Sequence, residues 1–384
     1  MPPQTQSVNA FPAAETPVAE RFDVLGKSAA ELRAWMTAIG ERPYRGAQIY
    51  HAICAERRFD FATMSNLPEA LRARLAREGR IGLPRIARRY LSADGSVRYL
   101  LELPASSSAP GSAPGAEALR EARVETVFMP SENRQTICVS SQAGCAVDCH
   151  FCLTAQLGLI RNLSAGEIVG QVLLALEDHR DALKPRTNVV LMGQGEPLLN
   201  YEPVLAAVRV MLDSNGMGLA PKHVTLSTSG IVPGIERLAQ EKVRPKLAVS
   251  LNASTDEQRD AIMPINRKYP LEVLLDACRR YGELITFEYV LLGGFNDAPE
   301  DARRVVRLLS GMHAKVNLIP WNPGALPYRA PEPDRVKEFH RILMEKGQFA
   351  FVRYSRGQDI SAACGQLALL ESSAPSPSAP PRLA

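Results

Sequence analysis

Cys145, Cys149 and Cys152 fall in the segment SSQAGCAVDCHFCLTAQLG with the spacing C-x3-C-x2-C, directly after an apolar run. Thiolates are soft ligands that suit zinc or iron–sulfur clusters. Structural zinc takes four ligands, commonly from two C-x2-C pairs. Here there is a single such pair with a third cysteine upstream, and His150 between two of the thiols is the remaining candidate donor. Three cysteines can instead hold three irons of a 4Fe-4S cluster and leave the fourth open, a vacancy that a four-cysteine cluster lacks. An open iron can take a cofactor through its amine and carboxylate. Cys54, Cys138, Cys278 and Cys364 bring the cysteine count to seven. An odd number with three members crowded together suits a metal site better than a disulfide framework, and points to a reducing cytoplasm.

The rest of the chain must supply a scaffold for these thiols. Of the 384 residues, 46% are hydrophobic and 22% charged, which is ordinary for a soluble globular protein with a sizeable core. No apolar stretch approaches the ~18 residues of a membrane span. The polar start MPPQTQSVNAFPAAETPVAE has no basic-then-apolar pattern, so no secretory signal is expected. Net charge is +4, but residues 21–100 hold 15 Lys and Arg against 8 Asp and Glu. Such asymmetry predicts an anionic partner for the N-terminal part, and a solvated arginine-rich surface is the plainer alternative.

Residues 25–80 read as helical. Leu32, Trp35 and Met36 share one helical face, and Leu67, Leu71 and Leu75 repeat every four residues, with Asn66 or Pro68 at the start of that helix. The run IARRYLSADGSVRYLLEL (86–103) holds an Asp-Gly turn between extended stretches, a hairpin signal. The tract 104–118, rich in Pro, Ala, Ser and Gly, has little to bury and reads as a flexible insertion; 1–21 and 371–384 read as disordered tails. From about residue 124 apolar runs at 136–141, 188–193, 223–230, 246–253, 285–292 and 315–321 alternate with amphipathic stretches. One stretch carries a capping-box pair, Ser164 and Glu167, followed by Ile168, Val172 and Leu176. The pattern predicts an α/β fold in which six parallel strands form a partial (β/α)6 barrel over 124–345, with chemistry at the C-terminal strand ends. An N-terminal helical and β-hairpin accessory domain (22–123) and a C-terminal segment (346–370) complete the expected plan.

The cysteine spacing, with Phe151 before the last thiol, resembles the radical S-adenosylmethionine (SAM) superfamily. The segments VETVFMP, ICVSSQAGC, GQGEPLLN, VTLSTSG, NLIPWNP and GQDISAACGQLALL narrow this, and from about residue 22 to 370 the chain resembles the radical methyltransferases of RNA adenosine. That resemblance implies a [4Fe-4S] cluster on Cys145, Cys149 and Cys152, and two molecules of SAM consumed per methylation. It implies cofactor contacts from Gly195 and Glu196, where Gly193 and Gly195 permit close backbone approach, and from Ser227, Ser250, Leu251, Asn252 and Asn322. At Asn252 many members carry His; Asn can still donate and accept. Adenine C2 is electron-poor, so an ordinary displacement from the sulfonium is unpromising. The family's route implies a methyl first placed on Cys364, activated there as a radical, and added to C2. Cys138 matches the thiol that releases product through a transient disulfide with Cys364, and Glu125 matches the proton acceptor. The implied substrates are 23S rRNA, at the peptidyl-transferase centre, and the adenosine next to the anticodon of some tRNAs. A low-potential flavodoxin or ferredoxin donor and a monomer complete the expectation. Arg72, Arg74, Arg77 and Arg80 are the candidate backbone contacts to RNA.

Three other readings stand beside this one. A C8 adenosine methyltransferase conferring antibiotic resistance shares the motifs. A glycyl-radical activase has the cysteine pattern but no use for Cys364. A zinc-stabilised RNA-binding protein predicts a colourless protein.

Overall fold

The computed structural model describes residues 21–103, 122–323, 325–367 and 369. The tails at 1–20 and 371–384 and the insertion at 104–118 lie outside the described residues.

The N-terminal part begins with β1 (Phe22–Asp23), α1 (Ala29–Ala38), α2 (Tyr44–Cys54), α3 (Glu69–Glu78) and β2 (Gly79–Arg80), which pairs in parallel with β1. Ser28 caps α1 with a reciprocal Glu31 box, and α1 buries Leu32, Trp35 and Met36, the predicted face. Leu67, Leu71 and Leu75 are likewise buried. Asn66 does not cap α3: the helix starts after Pro68, whose fixed φ suits a first turn without a side-chain bond.

Next come β3 (Arg85–Leu91) and β4 (Val97–Leu103), an antiparallel pair around the Asp94–Gly95 turn, where Gly95 takes φ +81°. Then follow β5 (Ala122–Pro130), β6 (Arg134–Cys138), β7 (Gln142–Gly144), β8 (Leu159–Asn162), α4 (Ala165–Asp178), β9 (Arg186–Leu191), α5 (Tyr201–Leu212), β10 (Val224–Thr228), α6 (Val232–Ala239) and β11 (Lys246–Ser250). The chain continues with α7 (Asp256–Ile262), α8 (Leu271–Tyr281), β12 (Ile285–Leu291), α9 (Pro299–Leu308), β13 (Ala314–Pro320), α10 (Pro333–Glu345) and β14 (Ala350–Val352). Strands β6, β9, β10, β11, β12 and β13 correspond to the six predicted runs and are parallel in chain order; β14 adds to β13. On the other side β5, β4 and β3 continue the same sheet with antiparallel pairing.

Strand alternation assigns the two faces. Ile137, Val189, Leu226, Leu247, Val249, Phe287 and Leu318 are buried in the core shared with the helices. The intervening residues, Cys138, Asn188, Ser227, Lys246, Glu288 and Asn317 among them, therefore face the opposite, inner side. Ser164 and Glu167 form the predicted capping box on α4, and Arg161 grips both Glu167 oxygens at 2.9 and 2.7 Å in a buried pair.

Candidate active site

The cysteine loop hangs between β7 and β8. The Cys145 N–H donates to Gly158 O at 2.9 Å, and Gly144 (φ +73°) passes so close that a Cβ there would lie 1.8 Å from Gly158 O. The Cys152 N–H closes a turn onto Cys149 O at 3.0 Å, and the His150 N–H donates to Ile262 O at 2.9 Å. Burial is the main force raising the Cys145 thiol to about 12, and Cys152 and the Glu196 carboxylate add to it; the N–H groups of Val147 and Ala146 directed at its sulfur oppose the rise. The Cys149 thiol is driven well up by burial and by Cys152, Cys145 and Glu196, with Arg259 opposing. Three thiols and one carboxylate thus share a single desolvated neighbourhood, where negative charge is unfavourable unless a cationic metal group takes it up. Among the described residues no three His, Cys, Asp or Glu side chains converge tightly enough for a single metal ion. A cluster asks for something else, one thiolate per iron. His150 is exposed and its Nδ1 lies 2.8 Å from Ala261 O, away from the shared thiols. The donor set fits a three-cysteine [4Fe-4S] cluster and offers no fourth zinc ligand from His150.

The Gly-rich turn after β9 lies against this loop. A Cβ on Gly195 (φ +99°) would sit 2.7 Å from Gln142 N, and one on Gly193 would sit 2.8 Å from Val139 O. Gln142, three residues before Cys145, accepts from the Glu196 N–H at 2.8 Å. Glu196 is buried and accepts from the N–H groups of Ser229 (2.6 Å) and Leu198 (3.0 Å); burial outweighs these bonds and raises its carboxyl. Arg259, fully buried on α7, donates to the carbonyls of Leu251, Ser229 and Ser250 at 3.1, 2.6 and 3.1 Å. It thereby fixes the ends of β10 and β11, where Ser227, Ser250, Leu251 and Asn252 lie. Asn252 takes φ +57°, a conformation Asn tolerates. Its Oδ1 accepts from the Val290 N–H at 2.9 Å and its Nδ2 meets Met263 Sδ at 3.4 Å, so its amide organises the strand end. Asn322 bonds to Ser355 Oγ (2.8 Å) and Gln358 Nε2 (3.0 Å) of the C-terminal segment.

That segment brings Cys364 to the site. At one end Asp359 accepts from Ser92 Oγ (2.6 Å) and the Ala93 N–H (2.9 Å), and the Gly357 N–H donates to Asp94 (3.0 Å), all on the β3–β4 turn. At the other end the Leu153 N–H donates to Gly365 O (2.8 Å) and Thr154 Oγ1 to Leu367 O (2.6 Å), directly after the last cysteine of the loop. Cys364 is exposed on this segment, and desolvation, then Glu288 and Cys152, push its thiol up to about 11. Cys138 on β6 is pushed up to about 12 by burial and by Cys364. One thiol therefore lies within electrostatic reach of β6 and β12, four steps apart in the sheet, about 19 Å if the sheet were flat. The sheet must curl around it, which is the geometry of a partial barrel. All seven cysteines are free, so the expected Cys138–Cys364 disulfide is not formed in this structure.

Glu125 on β5 is buried and ion-paired with buried Arg98. Its Oε2 accepts from the Leu369 N–H at 3.0 Å, five residues beyond Cys364, and from Gln194 Nε2 at 3.4 Å. Two of the four arginines proposed for RNA are held by carboxylates inside the N-terminal part: Arg80 by Asp23 and Arg74 by Glu78. Arg72 donates to Ala62 O, and Arg77 remains exposed. Cys54 and Cys278 are core residues, as expected. Sequence reasoning did not single out Arg259, Gln142 or Glu288. Glu288 was visible as the one charge in the strand run ITFEYVLL. Its carboxyl, held by Asn317 Nδ2 at 2.9 Å, is raised to about 7 by burial, against Asn317, Arg353 and Lys315.

A curled parallel sheet with three cysteines on a loop beyond β6 and a Gly-rich turn after β9 defines the class, a radical SAM enzyme, and residues 139–309 match the radical SAM superfamily. Residues 22–81 match the ribosomal RNA large subunit methyltransferase N-terminal domain. The chain is 46% identical to a probable dual-specificity RNA methyltransferase RlmN of Koribacter versatilis, over 86% of this chain and 97% of that one. It is 46% identical to the RlmN of Anaeromyxobacter dehalogenans over 88% and 89% respectively. A solved radical SAM methyltransferase from Sphaerobacter thermophilus superposes with a TM-score of 0.83 at 42% identity, covering 90% of this chain and 99% of that one. The chain belongs to the RlmN family of dual-specificity RNA methyltransferases.

Proposed function

We propose that this protein methylates C2 of adenosine in 23S ribosomal RNA, at the peptidyl-transferase centre, and next to the anticodon of some tRNAs, with Cys364 as the methyl carrier. The observation that carries this reading is the docking of the C-terminal segment, which sets Cys364 among Cys152, Glu288 and Cys138. Bound at Cys145, Cys149 and Cys152, a [4Fe-4S] cluster supplies the electron that cleaves SAM to a radical able to take hydrogen from a methyl group. Glu196 and the ends of β10 and β11 orient the methionine and ribose of that cofactor, with Gly195 allowing its close approach.

The chain's own groups do the rest. Cys364 gives up its proton and takes the sulfonium methyl of a first SAM as a thioether, the methyl–sulfur bond breaking and S-adenosylhomocysteine leaving; the raised thiol makes this step dependent on a nearby proton acceptor. Glu125, ion-paired with Arg98, receives the C2 proton, and the Leu369 N–H fixes it relative to the methyl carrier on the same segment. Cys138 faces Cys364 from β6: its thiolate bonds the Cys364 sulfur as the sulfur–carbon bond to the base breaks, the released electron pair and a proton complete the new methyl group, and the external donor then reduces the disulfide, which exists only during turnover. The working form is a cytoplasmic monomer reduced by a flavodoxin or ferredoxin; no helix of the described residues is long and apolar enough to cross a membrane.

The test is anaerobic incubation with SAM, reductant and either ribosomal RNA or tRNA, followed by chromatographic identification of the modified nucleoside. Wild type yields 2-methyladenosine, whereas Cys145→Ala and Cys364→Ala yield none. A product of 8-methyladenosine overturns the choice of carbon, and turnover by Cys145→Ala overturns the radical mechanism.

A further inference from the structure

The inner face of the curled sheet changes character along its length. At the C-terminal strand ends it carries the thiols, Glu196 and the strand-end carbonyls held by Arg259. At the N-terminal ends it is cationic. Arg134 and Arg186 are the first residues of β6 and β9 and are register partners. Lys246 opens β11, and Lys315, the second residue of β13, pairs with Thr286. Alternation puts all four on the face of Cys138, Asn188, Ser250 and Asn317; Arg353, just past the C-terminal end of β14, reaches the same wall farther up, donating to Asn317 Oδ1 at 3.2 Å.

Cationic charges act on one another along this wall. Lys315 is lowered by burial, Lys246 and Arg353, and His223 beside Asn188 is lowered by burial, Lys222, Lys246 and Arg186; Glu288 is the one carboxylate acting on Lys315. None of the four lies within ion-pair distance of a carboxylate among the described residues, whereas arginines of the N-terminal part such as Arg74 and Arg80 do. Unneutralised like charges gathered at one mouth favour an anionic occupant. Arg134, Arg186 and Lys246 are exposed there. The opposite mouth is occupied by the cysteine loop and the C-terminal segment.

We infer that the N-terminal mouth of the barrel is the entrance for the substrate RNA: Arg134, Arg186, Lys246 and Lys315 hold the phosphates that flank the target adenosine, and the flipped base passes up the inner face to Cys364. Four steps along β6 lead from Arg134 to Cys138, a depth of about 13 Å, and the inward side chains between them include Thr136 and Asn188 on this wall and Thr286 and Asn317 on the other. An extruded nucleotide fits such a wall, as base-modifying enzymes require. Phosphate contacts of this kind position the strand without reading its sequence. This inference rests on the RNA methyltransferase reading and adds the route of entry.

The experiment uses cluster-loaded full chain and a fluorescent RNA stem-loop with an unpaired adenosine, titrated at several salt concentrations. Arg186→Glu with Lys246→Glu is compared with wild type and with Lys337→Glu on the outer helix α10. The double variant is expected to bind about tenfold or more weakly at 150 mM salt, with the slope of log K against log salt reduced by roughly 1.5–2. Its SAM-dependent methylation of Cys364, read by mass spectrometry, stays at the wild-type level, which shows an intact site. Wild-type affinity and slope in the double variant, or an equal loss in Lys337→Glu, overturns the entrance. Failure of wild type itself to bind the RNA overturns the underlying reading instead. Unchanged RNA binding with lost reduction by flavodoxin assigns the mouth to an acidic protein and overturns the RNA assignment.

Discussion

Replacing Glu288 by Gln tests the electrostatics of the barrel interior without removing a side chain. Its carboxyl is raised from an ordinary 4.5 to about 7, burial being the dominant cause. Below pH 4.5 both folded and unfolded chains carry the proton, and the group contributes nothing to stability. Between 4.5 and 7 the unfolded chain ionises while the folded chain keeps its proton, so the folded state loses ground as pH rises. Above 7 the penalty is constant, about 3 kcal/mol at ~1.4 kcal/mol per pH unit. Gln preserves the acceptor for Asn317 Nδ2 and has no proton to exchange. The variant should therefore match wild type near pH 4.5 and exceed it by up to about 3 kcal/mol at pH 7.5 and above. At ~2 cal/mol/K of unfolding entropy per residue that is a rise of about 4 °C in Tm. Anaerobic melts of both proteins at equal cluster content, from pH 5 to 8, measure the difference. A difference that stays flat across this range, or a wild type more stable than the variant at pH 8, refutes the assignment of a desolvated Glu288.

Three further perturbations follow from individual contacts. Glu167→Ala leaves Arg161 buried without its bidentate partner and should cost about 3–5 kcal/mol, read from denaturant midpoints. Gly195→Ala places a Cβ 2.5 Å from Gln142 Cβ at φ +99°; it should weaken SAM binding at least about tenfold while the visible absorbance of the cluster persists. Asp359→Ala releases the C-terminal segment from the β3–β4 turn. Cys364 methylation should fall severalfold and residues 353–369 should become protease-sensitive, with Tm lowered by no more than about 2 °C.

The order of the six parallel strands and the faces of α1 and α4 were legible because period and capping are local properties of the chain. The cysteine triad was legible because its spacing lies within one loop. Cys364 could be assigned only through family resemblance, since nothing within twenty residues of it shows that Leu153, Thr154 and Asp94 hold its segment. The cationic mouth was hidden for a related reason. Arg134, Arg186, Lys246 and Lys315 stand far apart in sequence and meet only when parallel register and strand alternation bring them to one face. The candidate RNA arginines illustrate the converse. A run of charges on a helix was plain to see, but the carboxylates that neutralise Arg74 and Arg80 were not.

The docking of the C-terminal segment has a consequence for how the protein is made. At ~5–20 residues per second, Cys364 leaves the ribosome roughly 10–40 s after Cys145. A nascent chain thus presents Cys145, Cys149 and Cys152 and the Gly-rich turn well before it possesses Cys364, the sulfur proposed to carry the methyl. On the proposed mechanism, a chain stalled before residue 353 would have the means to start radical chemistry and no acceptor to finish it. Timing of iron delivery relative to completion of synthesis therefore becomes a matter of cellular safety as well as of activity.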